Sequence, residues 1–125
     1  MEQKPINSHR DLIVWQKSMI LAKTVFTATK KFPHSELYGM ISQMRRCSTS
    51  IPANIAEGYA RRSRKEYAQF ISIAYGSGAE LETHLLLVRD FEYVTAEEFD
   101  IIYKQLNEVL RMLNALLQKL KLSSP

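Results

Sequence analysis

Four cations within five positions are the residues best suited to chemistry: Arg61, Arg62, Arg64 and Lys65. The planar guanidinium fork of arginine suits phosphate. Tyr59 and Tyr67 flank these cations and could stack on nucleic-acid bases. The pattern therefore predicts a phosphate-binding corner. The alternative is a solvated turn whose cations stabilise the C-terminal end of a helix.

Residues that could form a catalytic or metal site are few. Cys47 is the only cysteine, and helical counting places it level with Ala79. His84 lies five residues further on, roughly 7 Å along a helix axis, which is too far for a ready Cys–His pair. Glu80 and His84 stand four apart only once, whereas di-metal bundle sites use Glu-x-x-His on two helices together with further inward glutamates. We therefore predict no catalytic residue, no metal and no cofactor, with Cys47 as a small core residue.

The charge is unevenly distributed along the 125 residues, whose net charge is +4. Residues 1–65 carry a net charge of +8, residues 66–98 carry −6 and residues 99–125 carry +2. Such asymmetry predicts a basic face for a polyanion such as RNA or DNA, extended by Lys17 and Lys23. The alternative is that acidic and basic surfaces of neighbouring subunits meet.

The composition is typical of a single soluble domain, with 46% hydrophobic residues. No stretch approaches the roughly 18 consecutive apolar residues of a membrane span, and the first residues lack the apolar run of a secretory signal. A single cysteine cannot form an intramolecular disulfide, which fits a reducing compartment. We therefore predict a cytoplasmic protein without a membrane partner.

Apolar residues recur at steps of three and four and predict four helices, at about 11–32, 35–62, 64–91 and 96–121. Asp11 is the predicted N-cap of the first helix, and capping boxes at Ser63 and Thr95 begin the last two. The predicted fold class is all-α: an antiparallel up-down-up-down four-helix bundle over residues 11–122, after a flexible arm of residues 1–10.

Pro52 lies inside the second predicted helix, where proline removes a backbone hydrogen bond and kinks the chain. One helix kinked at Pro52 is the preferred interpretation, and two shorter helices are the alternative. The third helix is apolar around much of its circumference. A small bundle cannot cover such a helix fully, so we predict that it contacts another subunit.

Residues at the same height in a predicted helical hairpin suggest two structural sets. Arg46, Glu80 and Asn107 share one height and are predicted to form a buried polar layer; the alternative is that Arg46 or Glu80 points to solvent. Small residues are predicted to face one another where helices 2 and 3 pack closely: Ser48, Ser50, Gly76 and Gly78.

Several motifs of residues 10–121 resemble a known family. They are L-I-V-W-Q-K in helix 1, Q-M-R-R and I-P-A-N-I-A-E-G in helix 2, R-R-S-R-K-E at the turn and G-S-G-A-E-L-E in helix 3. They resemble the four-helix-bundle proteins encoded in intervening sequences of bacterial large-subunit ribosomal RNA. That family is similar to the accessory variability protein of diversity-generating retroelements.

The resemblance implies a bacterial, cytoplasmic homopentamer without catalytic activity. For the retroelement relatives it implies that a basic surface binds nucleic acid and a reverse transcriptase. The predicted function is therefore a non-enzymatic, homo-oligomeric nucleic-acid-binding or accessory scaffold protein. The alternative is a protein–protein interaction scaffold with no nucleic-acid binding.

Overall fold

The computed structural model describes residues 5–122, in which four long α-helices dominate. The helices are α1 at Ile13–Thr29, α2 at Ser42–Tyr59, α3 at Arg64–Asp90 and α4 at Ala96–Leu122. Turns of 3-10 helix lie at His9–Asp11 and His34–Glu36, and a π-helical turn lies at Leu37–Ile41. The described residues contain no strand, so the predicted all-α four-helix bundle is confirmed. The predicted arm of residues 1–10 lies partly outside the described residues.

Each helix has two neighbours: α1 packs against α2 and α4, and α3 packs against the same two helices. Along α1 and α4 the paired residues run in opposite order, since Lys17 pairs with Glu108 and Lys31 with Glu98. These two helices are therefore antiparallel, and the first turn of α1 lies at the same end of the bundle as the last turns of α4.

The core lies between the four helices and is built from their apolar seams. The largest fully buried side chains include Leu21, Met44, Ile51, Ile55, Ile71, Leu81, Leu85, Ile102, Leu106 and Leu113. On α4, Phe99 and Leu116 are only partly buried against this core. Each fully buried large aliphatic side chain stabilises the fold by about 1.5–3 kcal/mol relative to an exposed one.

The first helix begins at Ile13, and Asp11 is not its N-cap as predicted. Leu12 is the N-cap residue and makes no side-chain capping bond. The carboxylate of Asp11 instead accepts hydrogen bonds from the backbone amides of Asn7 (2.8 Å) and Ser8 (3.3 Å). An aspartate can satisfy amides on either side of itself, and here it closes the preceding 3-10 turn.

The second helix begins at Ser42, later than the predicted 35, because the chain before it is not regular α-helix. Gly39 has φ −106° and ψ −114°, and the helix path is kinked there. A Cβ added to Gly39 would lie 2.7 Å from Glu36 Oε1. From Ser42 the chain runs through Pro52 to Tyr59 as one α-helix, and a kink at Pro52 remains a prediction.

Side-chain caps begin both α3 and α4. Ser63 Oγ accepts a hydrogen bond from the Glu66 amide at 3.1 Å. Thr95 Oγ1 accepts from the Glu98 amide at 3.1 Å, and Glu98 Oε1 accepts from the Thr95 amide at 2.9 Å, so α4 has both halves of a capping box. The Ser63 cap fixes the turn between α2 and α3, and the Thr95 cap fixes the turn between α3 and α4.

Candidate functional site

The basic corner is the turn that joins α2 to α3, with the exposed cations Arg61, Arg62, Arg64 and Lys65. The α2 helix ends at Tyr59, and the Ser63 cap begins α3 immediately afterwards. The four cations therefore lie on a short, fixed turn at one end of the bundle. The N-terminus of α3 adds the partial positive charge of its unsatisfied amides.

A fifth cation, Lys121, joins the basic corner from the far end of the chain. An open cleft of about 360 Å³ is lined by Arg64 and Lys65 from α3 and by Lys121 from α4. Sequence reasoning did not assign Lys121 to the site. The signal was available, because antiparallel neighbours bring the basic last turn of α4 beside the first turn of α3.

The cations of the corner differ in what they contact. Arg61 forms an ion pair with Glu57 at 3.0 Å, and its guanidinium lies over the Phe70 ring at 4.8 Å. Among the described residues, Arg62, Arg64 and Lys65 form no ion pair and project into solvent. Arg61 is thus partly neutralised, and its three neighbours carry most of the free charge.

The two tyrosines that flank the corner pack on each other. Their ring centroids lie 6.0 Å apart in an edge-to-face arrangement, and both rings are half-buried. Burial raises the pKa of Tyr67. Tyr59 and Tyr67 therefore help to anchor the turn to the bundle, and base stacking on them remains a prediction.

The two lysines predicted to extend the basic surface lie outside this corner. Lys17 forms a 2.8 Å ion pair with Glu108, which neutralises it. Lys23 lies further along α1, at the edge of two clefts, and is exposed. The structure therefore brings Lys121 to the corner and leaves Lys17 and Lys23 on the side of the bundle.

The predicted buried polar layer is wrong, because its ion pair lies at the surface. Arg46 and Glu80 do pair, but their side chains are 56% and 42% exposed. Asn107 lines a different cleft with Tyr75 and Arg111. Sequence counting gave the height of these residues along the bundle but not their direction around the helix axis.

The small residues of α2 and α3 meet with an offset from the predicted pairing. Ser50 Oγ lies 2.9 Å from Ser77 Oγ in a hydrogen bond. Gly76 faces open space, and Gly78 faces α4, where an added Cβ would lie 2.6 Å from Leu110 Cδ2. Ser48 is buried, and its hydroxyl donates to the carbonyl of Arg45. Gly76 and Gly78 are therefore not the glycines that let α2 approach α3.

Cys47 and His84 lie closer than the predicted separation of roughly 7 Å along the helix axis, although no hydrogen bond joins them into a Cys–His pair. Ligand atoms of Cys47, Glu80 and His84 all lie within 4.8 Å of one another. A side chain reaches several ångströms along its helix, because the Cα–Cβ bonds tilt toward the N-terminus. That tilt brings His84 back toward the level of Cys47.

An apolar groove of about 620 Å³ lies between α1 and α2. It is lined almost wholly by apolar groups, among them Trp15, Met19 and Phe26 of α1 and Pro52, Ala53 and Ala56 of α2. The neighbouring Ile20 is 54% exposed. On α3, predicted to contact another subunit, Ile73, Tyr75 and Leu87 are exposed as well. Exposed apolar side chains thus lie on both α1 and α3, and the subunit contact of α3 remains a prediction.

Together, the four helices and the basic corner define a class of small, all-α bundle proteins with a positively charged end. None of the described helices is long and apolar enough to cross a membrane. Residues 10–115 match the family model described as 23S rRNA-intervening sequence protein. The chain belongs to the 23S rRNA-intervening sequence protein family, as the sequence motifs predicted.

A solved structure supports the same assignment. It is a protein of unknown function from the S23 ribosomal protein family of Bacteroides thetaiotaomicron, 28% identical to this chain. The match has a TM-score of 0.79 and covers 84% of this chain and 98% of that one. No curated protein matches this sequence. The link to the retroelement accessory protein remains a prediction.

Proposed function

We propose that this chain is a non-enzymatic, cytoplasmic homo-oligomer that binds RNA or DNA through its basic corner. The observation that carries this proposal is the convergence of Arg64, Lys65 and Lys121 on one open cleft, beside the exposed Arg62. Phosphate contacts by such cations supply most of the affinity in sequence-independent binding.

The chemistry of the corner favours contacts to the nucleic-acid backbone. Lys and Arg side chains there can reach phosphate oxygens, and the flanking tyrosines are occupied by packing on each other. Contacts of this kind position a nucleic acid without reading its sequence. Repetition of the corner around a homo-oligomer, a pentamer by resemblance, would raise the avidity without a new interface.

Salt dependence and charge removal test nucleic-acid binding. Affinity for unrelated RNA and DNA oligonucleotides, measured by fluorescence anisotropy, should fall with salt at a log–log slope of about −0.7 to −0.9 per phosphate contacted. The triple substitution Arg62→Gln, Arg64→Gln and Lys65→Gln should weaken binding to all sequences and flatten that slope.

A matched control removes the same charge elsewhere. Lys30→Gln, Arg89→Gln and Lys104→Gln together also lower the formal net charge by three. Lys30 follows the last residue of α1, and Arg89 and Lys104, which pair with Asp90 and Asp100, lie in the halves of α3 and α4 that are remote from the corner. This control should retain most of the affinity. An equal loss in both triple variants, or a wild-type protein that binds no oligonucleotide at low salt, would contradict the proposal.

We expect the apolar groove between α1 and α2 to form part of the subunit contact, because burial of exposed apolar side chains against a partner is favourable. Light scattering should give a mass well above the 14.5 kDa of one chain. Ala53→Glu places a charge in the groove and should lower that mass. Ala79→Glu places a charge on the exposed side of α3 and should lower the mass only if α3 contributes to the subunit contact. A wild-type mass of one chain at micromolar concentration would exclude the oligomer.

The same groove favours a second candidate function, a protein–protein interaction scaffold without nucleic-acid binding. A partner, such as the reverse transcriptase implied for the retroelement relatives, would then contact apolar side chains such as Trp15 and Phe26. This candidate predicts that the affinity for the partner protein is insensitive to salt and is lost in the Ala53→Glu variant. It replaces the first if no nucleic acid binds at low salt.

A further inference from the structure

A second cluster of reactive side chains lies along α2, about 20 Å from the basic corner. This distance follows from the fourteen residues between Cys47 and Arg61 at a rise of about 1.5 Å per residue. Glu80 and His84 are one turn apart on α3, and Cys47 faces them from α2. Their sulfur, oxygen and nitrogen ligand atoms lie within 4.8 Å of one another. These are three different donor types that metal ions use in proteins.

The imidazole of His84 is the least satisfied group of the cluster. Both of its ring nitrogens are buried, and neither has a hydrogen-bond partner among the described residues. Nε2 lies 3.5 Å from Glu80 Oε2, which is beyond normal hydrogen-bond length. Buried polar atoms without a partner are rare and destabilising. A ligand bound to the imidazole would therefore remove the desolvation cost of its unpaired nitrogens.

The thiol of Cys47 is unsuited to nucleophilic chemistry. The residue is fully buried, and this burial, with Glu80 close by, raises the pKa of Cys47 to about 12. The hydrogen bond with Cys47 in turn lowers the pKa of Glu80. A protonated, inaccessible thiol cannot attack a substrate, whereas a metal ion displaces the proton of a coordinating thiol even where the free thiol stays protonated.

We infer that Cys47, Glu80 and His84 form a binding site for a divalent cation of intermediate softness, for which Zn²⁺ is the best-suited ion. A set of one thiolate, one imidazole and one carboxylate favours zinc over magnesium or calcium. Zinc bonds of about 2.0–2.3 Å in a tetrahedral arrangement separate the ligand atoms by about 3.5 Å. The distance from His84 Nε2 to Glu80 Oε2 has this value, and solvent at the partly exposed Glu80 provides the fourth ligand.

Arg46 is the group with which the metal ion must compete. Its guanidinium pairs with Glu80, and its Nη2 lies 3.6 Å from Cys47 Sγ. Because the Arg46 side chain is 56% exposed, it can turn into solvent and leave its place at Glu80 to the metal ion. The bound ion would then tie α2 to α3 through three side chains.

Cobalt is the probe for this site, because thiolate-bound Co²⁺ absorbs in the near ultraviolet by charge transfer. Chelator-treated, full-length protein titrated with Co²⁺ should show this band, saturate at one ion per chain and lose the band when Zn²⁺ is added. The band can come only from Cys47, the single cysteine of the chain. Binding should strengthen as pH rises, because the thiol releases its proton.

Substitutions identify the other ligands. His84→Gln and Glu80→Gln should each weaken Co²⁺ binding by at least about tenfold, and Cys47→Ser should abolish the band. Arg46→Gln removes the competing cation and should tighten binding. The control variant His9→Gln with His34→Gln changes the remaining histidines and should bind as the wild type does.

The spectrum of the wild-type protein decides the inference even if a core variant fails to fold. Absence of the charge-transfer band at saturating Co²⁺ would overturn it, as would wild-type affinity in folded His84→Gln. A rise in melting temperature with Zn²⁺ that is kept in the histidine control and lost in His84→Gln would support it.

Discussion

Gly58 and Phe70 pack so closely that a Cβ added to Gly58 would lie 2.7 Å from the Cβ of Phe70. The same Cβ would lie 3.2 Å from the Tyr67 ring. Gly58 is the final residue of I-P-A-N-I-A-E-G. Of Gly58, Gly76 and Gly78, it alone lies where α2 and α3 pack closely against each other. The close approach brings the end of α2 to the start of α3 and so holds the basic corner.

Gly58→Ala should therefore destabilise the fold although alanine is the better helix former. The extra methyl group must displace the backbone of one helix, which typically costs about 1–3 kcal/mol. The measurement is the free energy of unfolding from denaturant titration.

Gly76→Ala is the matched control, because a Cβ there meets nothing within 4 Å. It should stabilise the fold by about 0.5–1 kcal/mol through helix propensity. Equal effects of the two substitutions would contradict the packing argument.

The difference between these glycines shows what sequence could and could not predict. Helical periodicity placed the core seams, since an apolar side must face the other helices wherever they stand. It did not fix the rotation of α3 about its own axis relative to α2. A rotation by one residue moves the contact from Gly76 to Ser77, and only the packed side chains of both helices determine it.

The ion pair between Arg46 and Glu80 should contribute little to stability. Exposed pairs contribute about 0–1 kcal/mol, because water screens the charges and ordering long side chains costs entropy. Glu80→Ala should thus lower the free energy of unfolding by less than about 1 kcal/mol, with a small coupling to Arg46→Ala in a double-mutant cycle. A loss of several kcal/mol would instead indicate the buried layer that sequence heights predicted.

The ion pair between Glu98 and Lys31 should make stability depend on pH. The hydrogen bond from Lys31 lowers the pKa of Glu98, whose side chain is only 23% exposed. A lowered pKa in the folded state means stabilisation that is present above the unfolded pKa of about 4.3 and is lost as pH falls through the folded value.

Glu98→Gln separates this charge from the capping role, since glutamine also suits the last position of a capping box. The variant should be less stable than the wild type by about 1 kcal/mol at pH 7, and the two unfolding curves should converge at acid pH. Glu97→Gln, an exposed neighbour in the same helical turn, should shift stability much less. A Glu98→Gln deficit that stays constant down to pH 2 would exclude the charge as its cause.

Glu92 ends α3 in a left-handed conformation, with φ 62°, which side chains other than glycine and asparagine adopt at a cost. Its neighbour Tyr93 donates from its amide to the carbonyl of Val88 at 2.9 Å, so the turn completes the helix end. Glu92→Gly should relieve the steric cost and raise the free energy of unfolding by about 0.5–1 kcal/mol. Glu92→Ala removes the same negative charge from the C-terminal end of the helix but keeps a Cβ, so it should gain only the small electrostatic part. Thermal and denaturant unfolding of the two variants would reveal the difference, and equal stability of both would show that backbone strain at this position contributes nothing.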